Sequence, residues 1–463
     1  MPETVNFSKS FIEGEFHLGF WGFVKKGVGF IGSFFILRSL SLYQFGVYQL
    51  LLSFYSIVSS SCLNLFSSVV SNDLARFIAE NRNDKAKRLF WEYSFFRLIL
   101  CALPAVLGFA LAPLFSSRYG PEAVVWIYLL SILFIFDAFL SSILSFLKVH
   151  LRFDLVAVRP SLQKFAQALT LAYFYFFSSI GIKEALIAQL VGPFVAFVFV
   201  LPGFLKVYRP WMDIPAVKGG ILKGIIFSYG KWDIPGTFLS NLVGRLRPWV
   251  IKLFLNTEAV GIFGVASMGI SLLKDFLPVR TLGTLIPRKI NESASLNSIF
   301  LYGTKFYVLL SVALVMIGAI FYPLSVRFLF PQFVPSIVLF YLLLPTVVLF
   351  AFIKLVNIFL VAKRRQKFIF YQMVLSNSLG VLFLFLFLPI FGILGLSLAE
   401  LFALGISITV EYCYLAKTKF IQHIPLRSFF SFGKKDRQII MLMAGYVFKF
   451  LKLDRLIKKN NEK

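Results

Sequence analysis

The sequence predicts an all-α polytopic membrane protein, with about twelve transmembrane helices in two halves of six. Three observations carry this. Of 463 residues, 59% are hydrophobic and 15% charged, against roughly 25% charged in a soluble domain. The hydrophobic residues gather into stretches near the 20 or so that a helix needs to cross hydrocarbon. Lys and Arg concentrate in alternate loops, the pattern that sets membrane topology.

In order, the first six spans are expected at 19–40, 45–70, 89–115, 123–147, 160–180 and 184–204, and six more at 225–252, 258–285, 300–323, 334–361, 367–388 and 391–414. One set of loops holds Arg76, Arg82, Lys85, Lys87 and Arg88, then Lys148, Arg152 and Arg159, then Lys206, Arg209, Lys218 and Lys223, then Arg288 and Lys289, then Lys363 to Lys367. The opposite loops carry little beyond Arg38, Arg118, Lys183, Lys252 and Arg327. The asymmetry puts both termini and the basic loops in the cytoplasm, which requires an even number of spans. Met1 to His17 contains three glutamates and no continuous apolar run, so it does not resemble a cleaved signal peptide.

The loop at about 205–224, with Pro210, Pro215, Gly219 and Gly220, divides an N-terminal lobe (1–210) from a C-terminal lobe (211–415). Phe45-Gly46-Val47 in the first lobe recurs as Phe263-Gly264-Val265 in the second. Residues 416–463 form a basic tail. Within it Ile440, Ala444, Val447 and Leu451 share one helical face and Lys449, Lys452, Arg455 and Lys459 another, which suits an interfacial helix or a solvated positive tail.

Several function classes fall away. Lys and Arg exceed Asp and Glu by 47 to 21, a net +26, but their place in loops argues against nucleic acid. Cys62, Cys101 and Cys413 lie in separate apolar runs, without the spacing of a disulfide framework or zinc site. His17, His150 and His423 fall outside the spans, which removes support for a metal centre or a histidine proton relay. Gly27-Val28-Gly29-Phe30-Ile31-Gly32 matches a dinucleotide fingerprint in letters only, because it sits in a membrane helix and not after a strand; small residues there suit close helix packing. Gly230-Lys231-Trp232 lacks the rest of a P-loop. No cofactor is indicated, and the short external loops leave no room for an external catalytic domain.

What remains is charge at membrane depth, each such group costing about 2.5–3.5 kcal/mol at a helix centre. Arg97 and Asp137 fall at similar depths on neighbouring antiparallel spans and are expected either to form a structural ion pair or, through Asp137, to couple protons. Lys25 and Lys26 either snorkel to the surface or supply an anion site. In span seven Lys231 and Asp233 precede Pro235-Gly236, and Arg245 and Arg247 precede Pro248. That pattern predicts a broken helix lining a cavity, whose restart would suit a phosphate. Arg245 and Arg247 are two apart and cannot share a helical face. Glu400 is expected either to neutralise an arginine or to couple an ion, and Lys274, Asp275, Lys354 and Asn357 are further candidates.

Arg38-Ser39-Leu40-Ser41 through Phe45-Gly46-Val47-Tyr48 resembles the turn after the first helix of Wzx-type oligosaccharide flippases. Arg76-Phe77-Ile78-Ala79-Glu80 with Asp84 to Phe90 is similar to that family's basic loop after helix two. Gly261-Ile262-Phe263-Gly264-Val265-Ala266 and Ile286-Pro287-Arg288 resemble its turn between helices seven and eight and the end of helix eight. Ser41 stands where the family usually has Gly. The resemblance implies membership of the multidrug/oligosaccharidyl-lipid/polysaccharide exporter superfamily, and with it an all-α fold of two six-helix lobes around a central cavity.

It also implies translocation of undecaprenyl-pyrophosphate-linked oligosaccharide across a bacterial cytoplasmic (inner) membrane, for O-antigen, capsule or exopolysaccharide assembly. H+ or Na+ would be the coupling ion, and a polysaccharide polymerase and glycosyltransferases the partners. Lys25, Lys26, Lys231, Arg245 and Arg247 would hold the pyrophosphate, and Asp137 or Glu400 would couple the ion. The alternative, an ion-coupled multidrug exporter of the same superfamily, would favour acidic groups for cationic drugs. A membrane polymerase or glycosyltransferase would need catalytic groups on a substantial loop.

Overall fold

In the computed structural model, residues 7–215, 220–277, 293–362 and 365–418 are described, and they are helical with no strand among them. They form α1 (Phe7–Ser39), α2 (Leu42–Asn64), α3 (Ser67–Ala79), α4 (Asn83–Tyr119), α5 (Glu122–Val149), α6 (Phe153–Phe177), α7 (Ile182–Tyr208), α8 (Ile221–Phe254) and α9 (Thr257–Asp275). Then come α10 (Ser293–Leu329), α11 (Ser336–Leu343), α12 (Pro345–Ala362), α13 (Gln366–Phe391) and α14 (Leu394–Lys417). Among the described residues nine stretches are long and apolar enough to cross a membrane, with α11 and α12 counted as one. Three more helices, α1, α6 and α8, have 33, 25 and 34 residues, long enough to span. The molecule is a multi-pass membrane protein.

The chain groups into two compact units, Met1–Gly264 with Phe328–Phe333, and Val265–Arg327 with Val334–Lys463. In the first, α1 packs along α6, α4 along α5, α6 along α7, and α8 against α2 and α4. The α1–α6 seam is set by small residues. Gly29 and Gly32 of α1 face Lys164, Ala168 and Leu171 of α6, and the Ser161 hydroxyl donates to the Trp21 carbonyl at 2.6 Å. The glycines thus serve helix packing, as their place in a membrane helix leads one to expect.

Local chemistry sets the helix ends. Ser41 and Gln44 form a capping box at the start of α2, with the Gln44 amide donating to Ser41 Oγ at 3.2 Å and the Ser41 amide to Gln44 Oε1 at 3.0 Å, so orphan N–H groups are satisfied. At the far end Phe66 adopts φ +58°, redirecting the chain into α3. The sequence reading ran one span from 45 to 70 and took Arg76 to Glu80 as loop, whereas α3 occupies this segment. Phe66, Val70, Leu74 and Phe77 recur at helical spacing and bury against Phe90, Tyr93, Phe146 and Trp211.

The expected break in span seven does not occur. α8 runs helically from Ile221 to Phe254, through Pro235, Gly236 and Pro248. A proline removes one hydrogen bond, and a membrane-embedded helix absorbs such a loss through its surroundings. Pro345 does start a new helix, dividing the expected span 334–361 into α11 and α12.

In the second unit α13 packs along α14, and α14 against α12. Gly269 and Gly318 flank a stacked Tyr322–Phe340 pair with centroids 3.7 Å apart. Leu277, Phe300, Tyr307, Leu355, Phe359 and Leu415 form its core. The tail beyond residue 418, with its expected amphipathic face, lies outside the described residues.

Candidate functional site

The first unit gathers the cations. Lys25 of α1 is exposed and Lys26 half-buried. Lys25 lies close enough to Lys164 of α6 for the two to repel. A pair of like charges on adjacent helices costs energy unless an anion or water lies between them. Lys164 is tethered: its ammonium donates to Gln167 Oε1 at 2.8 Å. Gln167 Nε2 donates to Gln189 Oε1 at 2.9 Å, and Gln189 Nε2 to the Tyr48 hydroxyl at 2.9 Å. The relay joins α6, α7 and α2 with each amide both accepting and donating, so a buried polar chain is satisfied along its length. Gly192 permits it: a Cβ there would meet Gln167 Cγ at 2.6 Å and the Gln163 carbonyl at 2.8 Å.

A second polar set lies on α2, α5 and α6. The Tyr55 hydroxyl donates to Asp137 Oδ2, with Tyr55 stacked on Phe134 at 5.2 Å. The cation that acts on Asp137 is Arg159 of α6. Arg97 is elsewhere. Only 1% exposed, it donates to the Tyr93 hydroxyl at 2.8 Å and to Ser142 Oγ at 3.4 Å, and its guanidinium carbon lies 4.3 Å from the Tyr93 ring centre. The expected Arg97–Asp137 ion pair is therefore not formed. Tyrosine and serine engage two of the three guanidinium nitrogens, Nε has no hydrogen bond among the described residues, and Asp137 has its own tyrosine and the charge of Arg159.

On α8, Arg245 is exposed and Arg247 half-buried, so the two differ in environment as their spacing requires. The Arg245 carbonyl accepts a hydrogen bond from Ser53 of α2 at 2.5 Å. The Lys231 side chain lies outside the described residues, although its backbone belongs to α8.

In the second unit Glu400, seventh residue of α14, lies 3.6 Å from Lys274 of α9. Glu411, further along α14, is fully buried with no hydrogen bond to either carboxylate oxygen among the described residues, and Asn357 Oδ1 is similarly unsatisfied. Lys354 lies over the Phe350 ring at 5.2 Å. No cluster of three or more His, Cys, Asp or Glu capable of holding a metal occurs among the described residues.

Sequence reasoning missed Lys164, Gln167, Gln189, Tyr48, Tyr55 and Arg159 as site members. Lys164 lies within the expected fifth span, so the rule that flagged Lys25 flags it too. The two glutamines carry no charge and give no such signal.

Comparison with known proteins agrees with the fold. No curated protein sequence matches the chain. Among solved structures, an inward-facing multidrug resistance MATE family transporter of the MOP superfamily aligns with TM-score 0.70 and 16% identity, covering 85% of this chain and 94% of that one. Lipid II flippase MurJ, in an inward closed conformation, aligns with TM-score 0.68 and 15% identity over 93% of this chain and 92% of that one. A MOP superfamily transporter from Pyrococcus furiosus, described as having a binding pocket of reversed polarity, gives 0.62 and 14%, over 89% and 95%. The chain thus has the fold of these transporters. The sequence profile described as "Polysaccharide biosynthesis protein" matches residues 12–290, more than half the chain, and the protein belongs to that family.

Proposed function

We propose that this protein is a flippase that moves undecaprenyl-pyrophosphate-linked oligosaccharide across the bacterial cytoplasmic membrane by alternating access, supplying O-antigen, capsule or exopolysaccharide assembly. The observation that carries the reading is the excess of cations at membrane depth in the first unit. Lys25, Lys26, Lys164, Arg245 and Arg247 lie on α1, α6 and α8, and Lys25 repels Lys164. Cations in hydrocarbon are costly, and a pyrophosphate group is an anion that such a set suits. Family membership supports a polysaccharide precursor as cargo.

In this reading the lipid tail stays in the bilayer while pyrophosphate and sugars traverse a wet cavity between lobes 1–210 and 211–415. Lys231 joins the anion-holding set, and Asp137, Glu400 or both answer to a coupling H+ or Na+. The chain acts as a transporter and not an enzyme, with both termini in the cytoplasm, and a polymerase and glycosyltransferases work beside it.

The test is transport of a pyrophosphate-linked oligosaccharide in proteoliposomes by wild type and by Lys164→Gln, Arg245→Ala and Arg247→Ala, with and without an imposed ion gradient. Wild-type transport that falls at least tenfold in one of these folded variants, the effect of about 1.4 kcal/mol of lost binding, supports the reading. Transport of cationic dyes by wild type, with no lipid-linked sugar moved, overturns it in favour of a multidrug exporter.

A further inference from the structure

Between α4 and α8 lies an open cleft of about 390 Å³. Its floor is Leu222, and its walls include Phe95, Ile99 and Phe227, exposed by 63%, 52% and 74% respectively. One end is polar, with Glu92 on α4 and Lys223 in the first turn of α8. The polarity runs along the membrane normal. Trp91, next to Glu92, donates from Nε1 to the Tyr208 hydroxyl at 2.7 Å, and Trp and Tyr mark the headgroup level of a bilayer. Ile99 lies seven residues further along α4, about 10 Å deeper at 1.5 Å per residue.

Charge at the mouth is one-sided. Both oxygens of Glu92 are engaged, Oε1 by Arg88 Nε at 2.6 Å and Oε2 by the Leu222 amide at 2.9 Å. Lys223 is exposed and has no hydrogen bond or ion pair among the described residues. A cation at headgroup level above an apolar, bilayer-facing cleft fits an amphiphile with an anionic head and a hydrocarbon chain.

We infer that the α4–α8 cleft is a binding site for an anionic membrane phospholipid. Its phosphate sits at Lys223, and one acyl chain lies against Phe95, Ile99 and Phe227. The start of α8 is tied to α4 by the Glu92–Leu222 bond and by Lys87, which donates to the Met212 and Ile214 carbonyls at 2.9 and 2.8 Å. A lipid wedged there supports the packing of α8 on α4, independently of what the protein transports.

The test uses full-length protein in nanodiscs with phosphatidylglycerol bearing a photoreactive diazirine in one acyl chain, and phosphatidylcholine with the same chain as control. Labelling is expected to concentrate on the peptides containing Phe95–Ile99 and Leu222–Phe227. It should exceed the phosphatidylcholine signal there, fall about fivefold in Lys223→Gln, the size expected for one basic residue at an anionic leaflet, and persist in Lys223→Arg. Labelling spread evenly over the lipid-facing helices, equal for both lipids, or unchanged in Lys223→Gln overturns the assignment. So does displacement of the label by a polyprenyl pyrophosphate at equimolar amounts, which would make the cleft a substrate-tail site.

Discussion

Gly46 of α2 and Gly261 of α9 lie against each other: a Cβ on Gly261 would meet the Gly46 amide nitrogen at 3.3 Å and the Leu42 carbonyl oxygen at 2.6 Å. A Cβ on Gly46 would collide with the Thr257 carbonyl, and one on Gly264 would meet Gln49 Cγ at 3.0 Å and a ring carbon of Phe45 at 3.1 Å. The two Phe-Gly segments that look like echoes in the sequence are one contact. At Gly46 and Gly261 the partner's backbone occupies the place of a side chain, and at Gly264 the side chains of Gln49 and Phe45 do.

That contact makes Gly46→Ala and Gly261→Ala overpacking changes against rigid backbone, expected to cost about 1–3 kcal/mol or more. Gly27→Ala has open space within 4 Å and should gain up to about 1 kcal/mol from helix propensity. Thermal unfolding of the purified protein should rank Gly27→Ala at or above wild type and the other two below it. Equal midpoints for Gly46→Ala and Gly27→Ala would refute the contact.

A double-mutant cycle separates the charges of the first unit. Arg97 and Asp137 share no partner, so Arg97→Met with Asp137→Asn should couple by less than about 0.5 kcal/mol. Tyr55→Phe with Asp137→Asn should couple by about 1 kcal/mol or more, since a hydrogen bond joins them. A large coupling in the first cycle would restore the ion pair that the sequence suggests.

His150 ends α5 with its ring between Phe146 and Trp211, at centroid distances of 4.2 and 5.1 Å. Burial lowers its imidazole pKa from the ordinary 6.5, partly opposed by the hydrogen bond to the Phe146 carbonyl. The unfolded chain therefore takes up a proton near pH 6.5 that the folded chain refuses. Stability at that site is present above this pH and falls as pH drops through the folded value. Unfolding midpoints between pH 7.5 and 5 should decline less steeply in His150→Phe, which keeps the ring stack, and parallel slopes would show that the site does not contribute.

Glu411 is a buried carboxyl with no hydrogen-bond partner among the described residues. Leaving such a group unsatisfied costs about 1–3 kcal/mol, so Glu411→Leu is expected to raise the unfolding midpoint. A drop of several degrees would indicate a partner outside the described residues.

The helical, multi-pass fold was legible because hydropathy is a composition signal, and charge placement located most of the spans. Local grammar was read less well. Pro235-Gly236 resembles a helix break in any soluble protein, yet α8 passes through it, because a bilayer penalises unpaired backbone more than proline strain. α3 reads as a loop in the sequence because Arg76 and the basic run Arg82 to Arg88 that follows it mask the helical rhythm of Phe66, Val70, Leu74 and Phe77. At the candidate site the cations were visible one by one, while pairings depend on which helices are neighbours, information that no single span carries. Thus Asp137 meets Tyr55 and feels the charge of Arg159, and Glu400 meets Lys274.

The bond from Ser53 to the Arg245 carbonyl joins residues 192 apart. During synthesis at about 5–20 residues per second, α2 waits roughly 10–40 s before its α8 neighbour exists. Throughout that interval the flank of α2 faces lipid or the insertion machinery, and the nascent first half is an unfinished packing unit. A gene split between Trp211 and Gly220 would make the waiting permanent for any fragment expressed alone.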